Sequence, residues 1–489
     1  MPNFLQSMQS EQVFRALESA FGFPFTPDQE RAAMLLACFV ASDKPQPACI
    51  LRGFAGTGKT SLVAALVRVV KALGRTVVLL APTGRAAKVF SRHAGLPAFT
   101  IHRAIYRQET FQGEGTRFSL NFNKLRHALF VVDEASMIAM GHPADSGAPA
   151  FGSGQLLDDL VRFVYEGEGC RLLLTGDTAQ LPPVGEEESG ALRAQTLARY
   201  GLLVGEADLR QVVRQAEGSS VLAGATLLRR LIEEDFAGLP PLPTSPTGEL
   251  RRLPAGELIE QLETDYHEVG TEGVLVVTRS NRRANVYNQG IRGRIFGREE
   301  ALTRDDLVMA VKNNYHWTER AAKGLGPGER LPMDFIANGD AARVVRIRNE
   351  HRQHGFIFAD ATLRFPDYED FELDCRVLLS TLTSESPSLT REESRRLFEA
   401  VEADYAHIPL KRDRMKAVRQ DPYYNAVQLK YAYAVTCHKA QGGQWERVYV
   451  DQGFVAEDQT GRPYLRWLYT ALTRTTGRLY LVNWPGGEQ

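Results

Sequence analysis

The first half of the chain alternates short apolar runs with helical patterns. Thr76-Val77-Val78-Leu79-Leu80, Ala128-Leu129-Phe130-Val131-Val132 and Arg171-Leu172-Leu173-Leu174 place apolar side chains at consecutive positions, so both faces of each run need cover. Continuous apolar strands bounded by loops predict a parallel sheet sandwiched between helices. Gly273-Val274-Leu275-Val276-Val277 opens a second alternation. Tyr431-Ala432-Tyr433-Ala434-Val435 and Arg478-Leu479-Tyr480-Leu481-Val482 complete it. Two stretches break the rhythm. Residues 105–122 read as two polar-alternating strands around Gln112-Gly113-Glu114-Gly115-Thr116, a hairpin signal. Residues 335–380 carry short β-like runs, among them Ala342–Ile347 and Gly355–Phe358, which predict a small antiparallel barrel inserted into the second unit. A charged helical stretch follows up to residue 420, and the Pro-rich segment Gly238–Gly248 reads as a surface loop. The expected class is α/β, with two parallel-sheet domains, an inserted hairpin and an inserted barrel.

The length of 489 residues exceeds what one core can serve. Lysines and arginines (58) nearly balance aspartates and glutamates (59), so no global positive field draws the chain to nucleic acid, and any such binding needs a local groove. Cys38, Cys49, Cys170, Cys375 and Cys437 are scattered without a C-x-x-C pair. That spacing argues against a zinc site or a disulfide framework and suits a reducing cytosol. No apolar run approaches the roughly 20 residues that span a bilayer. A cytoplasmic protein without membrane contact is expected.

The chemistry begins at Gly53-Phe54-Ala55-Gly56-Thr57-Gly58-Lys59-Thr60, a G-x-x-x-x-G-K-T loop between an apolar strand and an apolar helix. Glycines let backbone N–H groups close on phosphates, so Gly56, Thr57, Gly58, Lys59, Thr60 and Ser61 are candidate nucleotide contacts. Lys59 supplies charge, and the Thr60 hydroxyl can ligate Mg²⁺. Asp133-Glu134 ends an apolar strand, where ligands bind in α/β sheets. Asp133 can hold the metal and Glu134 can polarise an attacking water. Gln180, in the turn after the next strand, can hydrogen-bond a γ-phosphate.

These motifs are joined by others in a fixed order, and the set resembles a superfamily-1 DNA helicase of the RecD/Dda type over roughly residues 24–485. Phe25-Thr26-Pro27-Asp28-Gln29 resembles the Q motif, which implies Gln29 on the adenine. Ala81-Pro82-Thr83-Gly84-Arg85 resembles motif Ia, and Thr100-Ile101-His102-Arg103 resembles motif Ib. Gly176–Val184 resembles motif III, Leu209–Gln215 motif IV, and Thr278-Arg279-Ser280-Asn281 with Asn288 and Arg292 the motif after it. Val435–Gly443 resembles motif V and Tyr469–Arg474 motif VI.

The resemblance implies ATP and Mg²⁺ in a cleft between two RecA-like domains, with Arg214 and Arg474 reaching the triphosphate. It implies single-stranded DNA on Pro82, Thr83, His102, Asn281, Thr436 and His438, and 5′→3′ movement into tailed duplex DNA by a monomer. Motif V ends Gly442-Gly443-Gln444 where the family often has one glycine, and Gly443 is the candidate phosphate amide. The hairpin falls where the family carries a strand-separating pin; Phe111 can stack on a base pair, or Phe111 and Phe118 can simply pack across the strands. The insert resembles an SH3-like barrel, either a brace for the pin or a plain appendage. The implied division is 1–206 (ATP-binding domain, interrupted by the hairpin 104–127), 207–334 with 421–489 (second RecA-like domain), and 335–420 (barrel and helices). An RNA-directed superfamily-1 helicase and a nucleotide-switched binding scaffold with little turnover are the competing readings.

Overall fold

The computed structural model describes residues 2–110, 116–141, 152–213, 218–326, 329–456 and 459–485, with side chains omitted at 2–7, 108–110 and 116–118. The first unit is built on a six-stranded sheet. Its strands are β1 (Pro47–Gly53), β2 (Val77–Ala81), β3 (Ala98–Thr100), β6 (Leu129–Val132), β7 (Arg171–Gly176) and β8 (Leu203–Leu209). They run in the order β3-β2-β6-β7-β1-β8, and every neighbouring pair is parallel. Residues Leu129–Val132 and Arg171–Gly176 are buried throughout, which is why their sequence is apolar without alternation. One face packs on α2 (Pro27–Ala41) and α3 (Lys59–Ala72) through Leu36, Leu62 and Leu66. The other packs on α6 (Leu156–Glu166) through Leu160 and Val164.

The expected hairpin forms as β4 (Tyr106–Thr110) and β5 (Thr116–Leu120), an antiparallel pair that stands apart from the sheet. Phe111 and the turn residues 112–115 lie outside the described residues.

A second sheet has the order β16-β10-β17-β18-β9, again with every neighbouring pair parallel. Its strands are β9 (Leu250–Leu253), β10 (Val274–Thr278), β16 (Ala434–Thr436), β17 (Trp445–Asp451) and β18 (Thr475–Val482). Helices α8 (Ser220–Glu233) and α15 (Arg462–Leu472) cover one face through Leu228, Leu465 and Leu468. The Pro-rich segment 238–248 leads into β9 and is pinned to this core by buried Leu242. Two parallel sheets of this kind are the two RecA-like domains.

The insert is a closed five-stranded barrel, β11-β12-β13-β14-β15. Its long hairpin is β12 (Ala341–Gln353) and β13 (Phe356–Phe365), followed by β14 (Phe371–Leu378). Closure needs β11 (Leu307–Ala310) and β15 (Val427–Tyr431), which pair antiparallel with each other. The run expected as one strand over 431–435 is therefore divided: Tyr431 ends the barrel, and Ala434 begins the second sheet. Helices α12 (Arg391–Asp404) and α13 (Lys411–Gln420) pack on the barrel's flank.

The joint between barrel and second sheet is polar and dry. Asp306, fully buried, takes a bidentate bond from Arg292 (2.9 and 2.9 Å), one from Arg298 (2.8 Å), one from the Thr303 amide (2.8 Å) and one from the Tyr433 hydroxyl (3.0 Å). These bonds hold the Asp306 carboxyl below its ordinary range despite its burial. Asn288 closes the same joint, donating to Ala434 O (2.9 Å) and accepting from Ala434 N (2.8 Å). Asn288 and Arg292, noticed as parts of a helicase motif, thus have a structural task. Removing one side of a buried charge pair leaves the other uncompensated. Asp306→Ala should lower unfolding free energy by about 3–5 kcal/mol. Urea denaturation would read this, and a loss below about 1 kcal/mol would show the joint to be dispensable.

Candidate functional site

In a parallel sheet the loop after each strand emerges at the carboxyl edge, and β1, β6 and β7 deliver three such loops side by side. The first is the P-loop. Gly56 and Gly58 take φ of +76° and +77°, the left-handed region open to glycine. A Cβ on Gly58 would also sit 2.6 Å from Gln29 Nε2. Thr57 is buried, with its hydroxyl donating to Phe54 O (2.8 Å). Lys59 and Thr60 begin α3, and exposed Ser61 follows. Gln29 is only 1% exposed and braces this loop from behind. Its Nε2 donates to Thr57 O (2.9 Å), and its Oε1 accepts from the Thr26 amide (2.9 Å) as half of a capping box on α2. Both ends of its amide thus make one bond each within the chain.

The second and third loops face the P-loop. Lys59 Nζ lies 4.0 Å from Asp133 Oδ1, and the Thr175 hydroxyl donates to the same oxygen at 2.5 Å. Glu134 has φ +52°. A left-handed backbone at a residue with a Cβ costs on the order of 1 kcal/mol and recurs at active sites. Glu134 Oε2, Gln180 Oε1 and Ser136 Oγ are buried without a hydrogen-bond partner. Each such atom costs about 1–3 kcal/mol until a partner arrives, so a phosphate-bound water or metal shell fits this chemistry. Asp177 is buried beside them, and burial pushes its carboxyl up to about 6 while the Lys59 charge opposes the shift.

The second sheet supplies Arg474, which is 4% exposed. It donates to neutral acceptors of its own domain: Thr470 O (3.0 Å), Gly443 O (3.3 Å) and Thr473 Oγ1 (3.0 Å). Arg214 lies outside the described residues. Gly443, the candidate phosphate amide, lies beside Arg474 in the second domain. Its amide donates to Ala440 O (3.2 Å), and a Cβ there would meet Trp445 at 2.4 Å and Arg85 at 2.9 Å. Its immediate surroundings belong to the groove described next.

That groove runs along the same carboxyl edges. β2 and β3 are adjacent, and they lead into α4 (Gly84–Ala94) and α5 (Ile101–Ile105), capped by Thr83 and Thr100. β10 and β16 are adjacent, and they lead into α10 (Asn281–Gly290), capped by the Ser280 hydroxyl, and α14 (Cys437–Ala440), which Thr436 precedes. Pro82, Thr83 and His102 therefore stand together in the first domain, and Asn281, Thr436 and exposed His438 in the second. The two groups meet where a Cβ on Gly442 would lie 2.9 Å from Ala86 and 3.3 Å from the Thr83 hydroxyl. Arg85 stacks over Trp445 at 4.2 Å across the same seam. Helix N-termini offer amides and partial positive charge to phosphates. His102 is held neutral: burial pushes its imidazole down to about 4, and its ring packs 5.7 Å from Tyr106 and 6.4 Å from Phe335. Among the described residues no helix is long and apolar enough to cross a membrane.

Comparison with known proteins agrees with this geometry. The AAA domain family matches residues 26–231, and the UvrD-like helicase C-terminal domain family matches residues 431–482. The ATP-dependent RecD2 DNA helicase of Deinococcus radiodurans is 25% identical over 431 residues, covering 88% of this chain and 46% of that protein. Over these spans the chain is similar to RecD-type superfamily-1 helicases. The RecD subunit of the RecBCD enzyme of Mycobacterium tuberculosis is 29% identical over 241 residues, 41% of this chain and 36% of that protein. The chain thus spans about half the length of RecD2 and a smaller share of RecD. A solved Pif1 helicase from Bacteroides in complex with ADP-AlF3 and single-stranded DNA overlays 95% of the chain at 15% identity and a TM-score of 0.44.

Sequence reasoning passed over Thr175, Ser136 and Asp177, although each lies in or beside a motif it had quoted. Apolar neighbours hide them in the pattern, and only the fold brings them to Lys59.

Gly58→Ala should weaken nucleotide binding at least about tenfold, because strained φ and the Gln29 clash both distort the loop; titration with a fluorescent ATP analogue measures it. Wild-type affinity in that variant would mean the loop tolerates the side chain. A second expectation concerns Asp340, buried where the barrel meets α4. It accepts from the Ala337 amide (2.7 Å) and the Tyr368 hydroxyl (3.1 Å), and burial pushes its carboxyl up to about 7. The folded chain then holds this proton above the pH at which the unfolded chain releases it. Ionisation therefore removes stability as pH rises from about 4 towards 7, and the loss is complete above that. Asp340→Asn should melt higher than wild type at pH 8 and not at pH 4; equal melting at pH 8 would contradict the shift.

Proposed function

We propose that the chain is an ATP-driven DNA helicase that moves 5′→3′ along single-stranded DNA and unwinds tailed duplexes, hydrolysing ATP between its two RecA-like domains. The observation that carries this reading is the shared loop 177–181. It follows β7 of the first domain, yet Ala179 and Leu181 are buried in the core of the second. Events at the Lys59–Asp133 cluster are thereby tied to the position of the other domain. A fixed nucleotide-switched scaffold has no need of that coupling together with Glu134 and Arg474.

In this reading the amides of Gly56 to Ser61 and the Lys59 charge hold the phosphates. Thr60 and Asp133 hold Mg²⁺, which neutralises developing negative charge when bound. Glu134 orients the attacking water and Gln180 answers to the γ-phosphate. Arg474, with Arg214, supplies the cation for the transferred group. A finger of this kind is worth about 10³–10⁵ in rate in related NTPases. Since among the described residues Arg474 bonds Thr470, Gly443 and Thr473 of its own domain, its approach requires the domains to close. Pro82, Thr83, Asn281, Thr436 and His438 would grip phosphates and sugars on either side of the Gly442 seam, so closure and opening would shift the strand. His102, neutral and ring-packed, would serve as a hydrogen-bonding or stacking wall rather than a cation. Phe111, which the sequence places beside the expected hairpin turn, is the proposed wedge.

Strand displacement with ATP and Mg²⁺ on 5′-tailed, 3′-tailed and blunt DNA duplexes tests the proposal. Unwinding of the 5′-tailed substrate alone, lost in Lys59→Ala, is the expected outcome. Unwinding from the 3′ tail would reverse the polarity, and unwinding confined to RNA-tailed substrates would replace DNA by RNA.

A further inference from the structure

Tyr469 belongs to α15 of the second domain and is 1% exposed. Its hydroxyl is the only part of the ring that can bond, and a buried phenol needs partners. It finds two, both in the first domain. It accepts from the Ala55 amide of the P-loop (2.9 Å) and donates to Asp177 Oδ2 (2.6 Å). One oxygen from one domain therefore joins two separate loops of the other. The contact is reinforced at the far end of the same loop. The Leu181 amide donates to Thr470 Oγ1 (2.8 Å), and Gln441 Nε2 donates to Leu181 O (2.8 Å). Asp177 is anchored on its other side by the Ala179 amide (2.9 Å). The segment from Asp177 to Leu181 is thus held by three side chains of the second domain, and of these three Tyr469 also bonds the phosphate-binding loop.

We propose that Tyr469 is a positioning residue for ATP hydrolysis, its hydroxyl tying the P-loop backbone to the Asp177–Leu181 loop so that nucleotide in the first domain sets the placement of the second. The proposal rests on the reading of this cleft as the site of hydrolysis. A change at Ala55, next to Gly56, alters the acceptor geometry at Tyr469 Oη, and the same oxygen transmits it to Asp177. Gln180 lies between Asp177 and Leu181, so its placement depends on this tie at both ends. Neither Ala55 nor Asp177 has to bond the nucleotide for the tie to work.

Tyr469→Phe keeps the ring and removes only the hydroxyl. Steady-state ATP turnover, with and without oligo(dT), should fall about ten- to a hundredfold in kcat. KM for ATP should move less than about threefold, since the phosphate contacts of Lys59 and the loop amides remain. A kcat within about twofold of wild type would overturn the proposal, as would a rise in KM alone. So would a melting temperature low enough to account for the lost activity. Asp177→Asn combined with Tyr469→Phe should lose no more than the worse single variant, because both break one connection. Additive losses would show two independent roles and overturn the tie. If wild-type turnover ignores oligo(dT), the helicase reading falls, while the unstimulated rates of the two proteins still decide the role of Tyr469.

Discussion

A parallel sheet sends every strand-following loop to one edge, and this constraint organises the whole molecule. β1, β6 and β7 bring the P-loop, Asp133-Glu134 and the Asp177–Leu181 loop together because they are neighbours in the sheet, although they are spread along the chain from residue 53 to residue 181. β2 with β3, and β10 with β16, line up helix N-termini along the matching edges. Backbone hydrogen bonding therefore builds a phosphate-binding face before any side chain is chosen. Side chains then divide that face into an acidic cluster around Lys59 and a seam at Gly442 where the two domains touch.

The cleft departs from good packing in a directed way. Glu134 sits in a strained backbone, and three buried polar atoms wait without partners. The surrounding sheet over-determines these features: Leu129–Val132 and Arg171–Gly176 are buried on both faces and hold their loops rigidly. The barrel joint works by the opposite rule. Asp306 has every lone pair engaged, and nothing there is left to bind a ligand. The Asp306 carboxylate is saturated by partners of its own chain, whereas Glu134 Oε2 is buried without one.

Much of this was legible in the chain. Continuous apolar runs marked β2, β6, β7, β10 and β18, because two-sided burial leaves no alternation to misread. The hairpin over 105–122 was marked by glycine between alternating strands. The barrel was seen only in its middle. Leu307–Ala310 and Val427–Tyr431 are too short to stand out, and their pairing spans more than a hundred residues. Tyr431–Val435 misled because one apolar run serves two sheets. At the site, the P-loop and Asp133-Glu134 stood out by composition. Gln29 did not reveal its bracing role, since a capping box and a base contact look alike in sequence. Asp177 and Tyr469 were unreadable as a pair: their meeting is a property of two domains in contact, and no local spacing encodes it.

The way the second domain is threaded has a consequence for synthesis on the ribosome. All strands of the first sheet have emerged once residue 209 is made, so that domain can fold while the rest is still being translated. The second cannot. β11 needs β15, so the barrel closes only when the strand ending at Tyr431 is available; β10 needs β16 and β17 and β9 needs β18, so the sheet waits for the strand ending at Val482. A nascent chain can thus hold a finished phosphate-binding loop long before Tyr469 and Arg474 exist. The order of the strands thus delays the meeting of the two domains until well after the first sheet is complete.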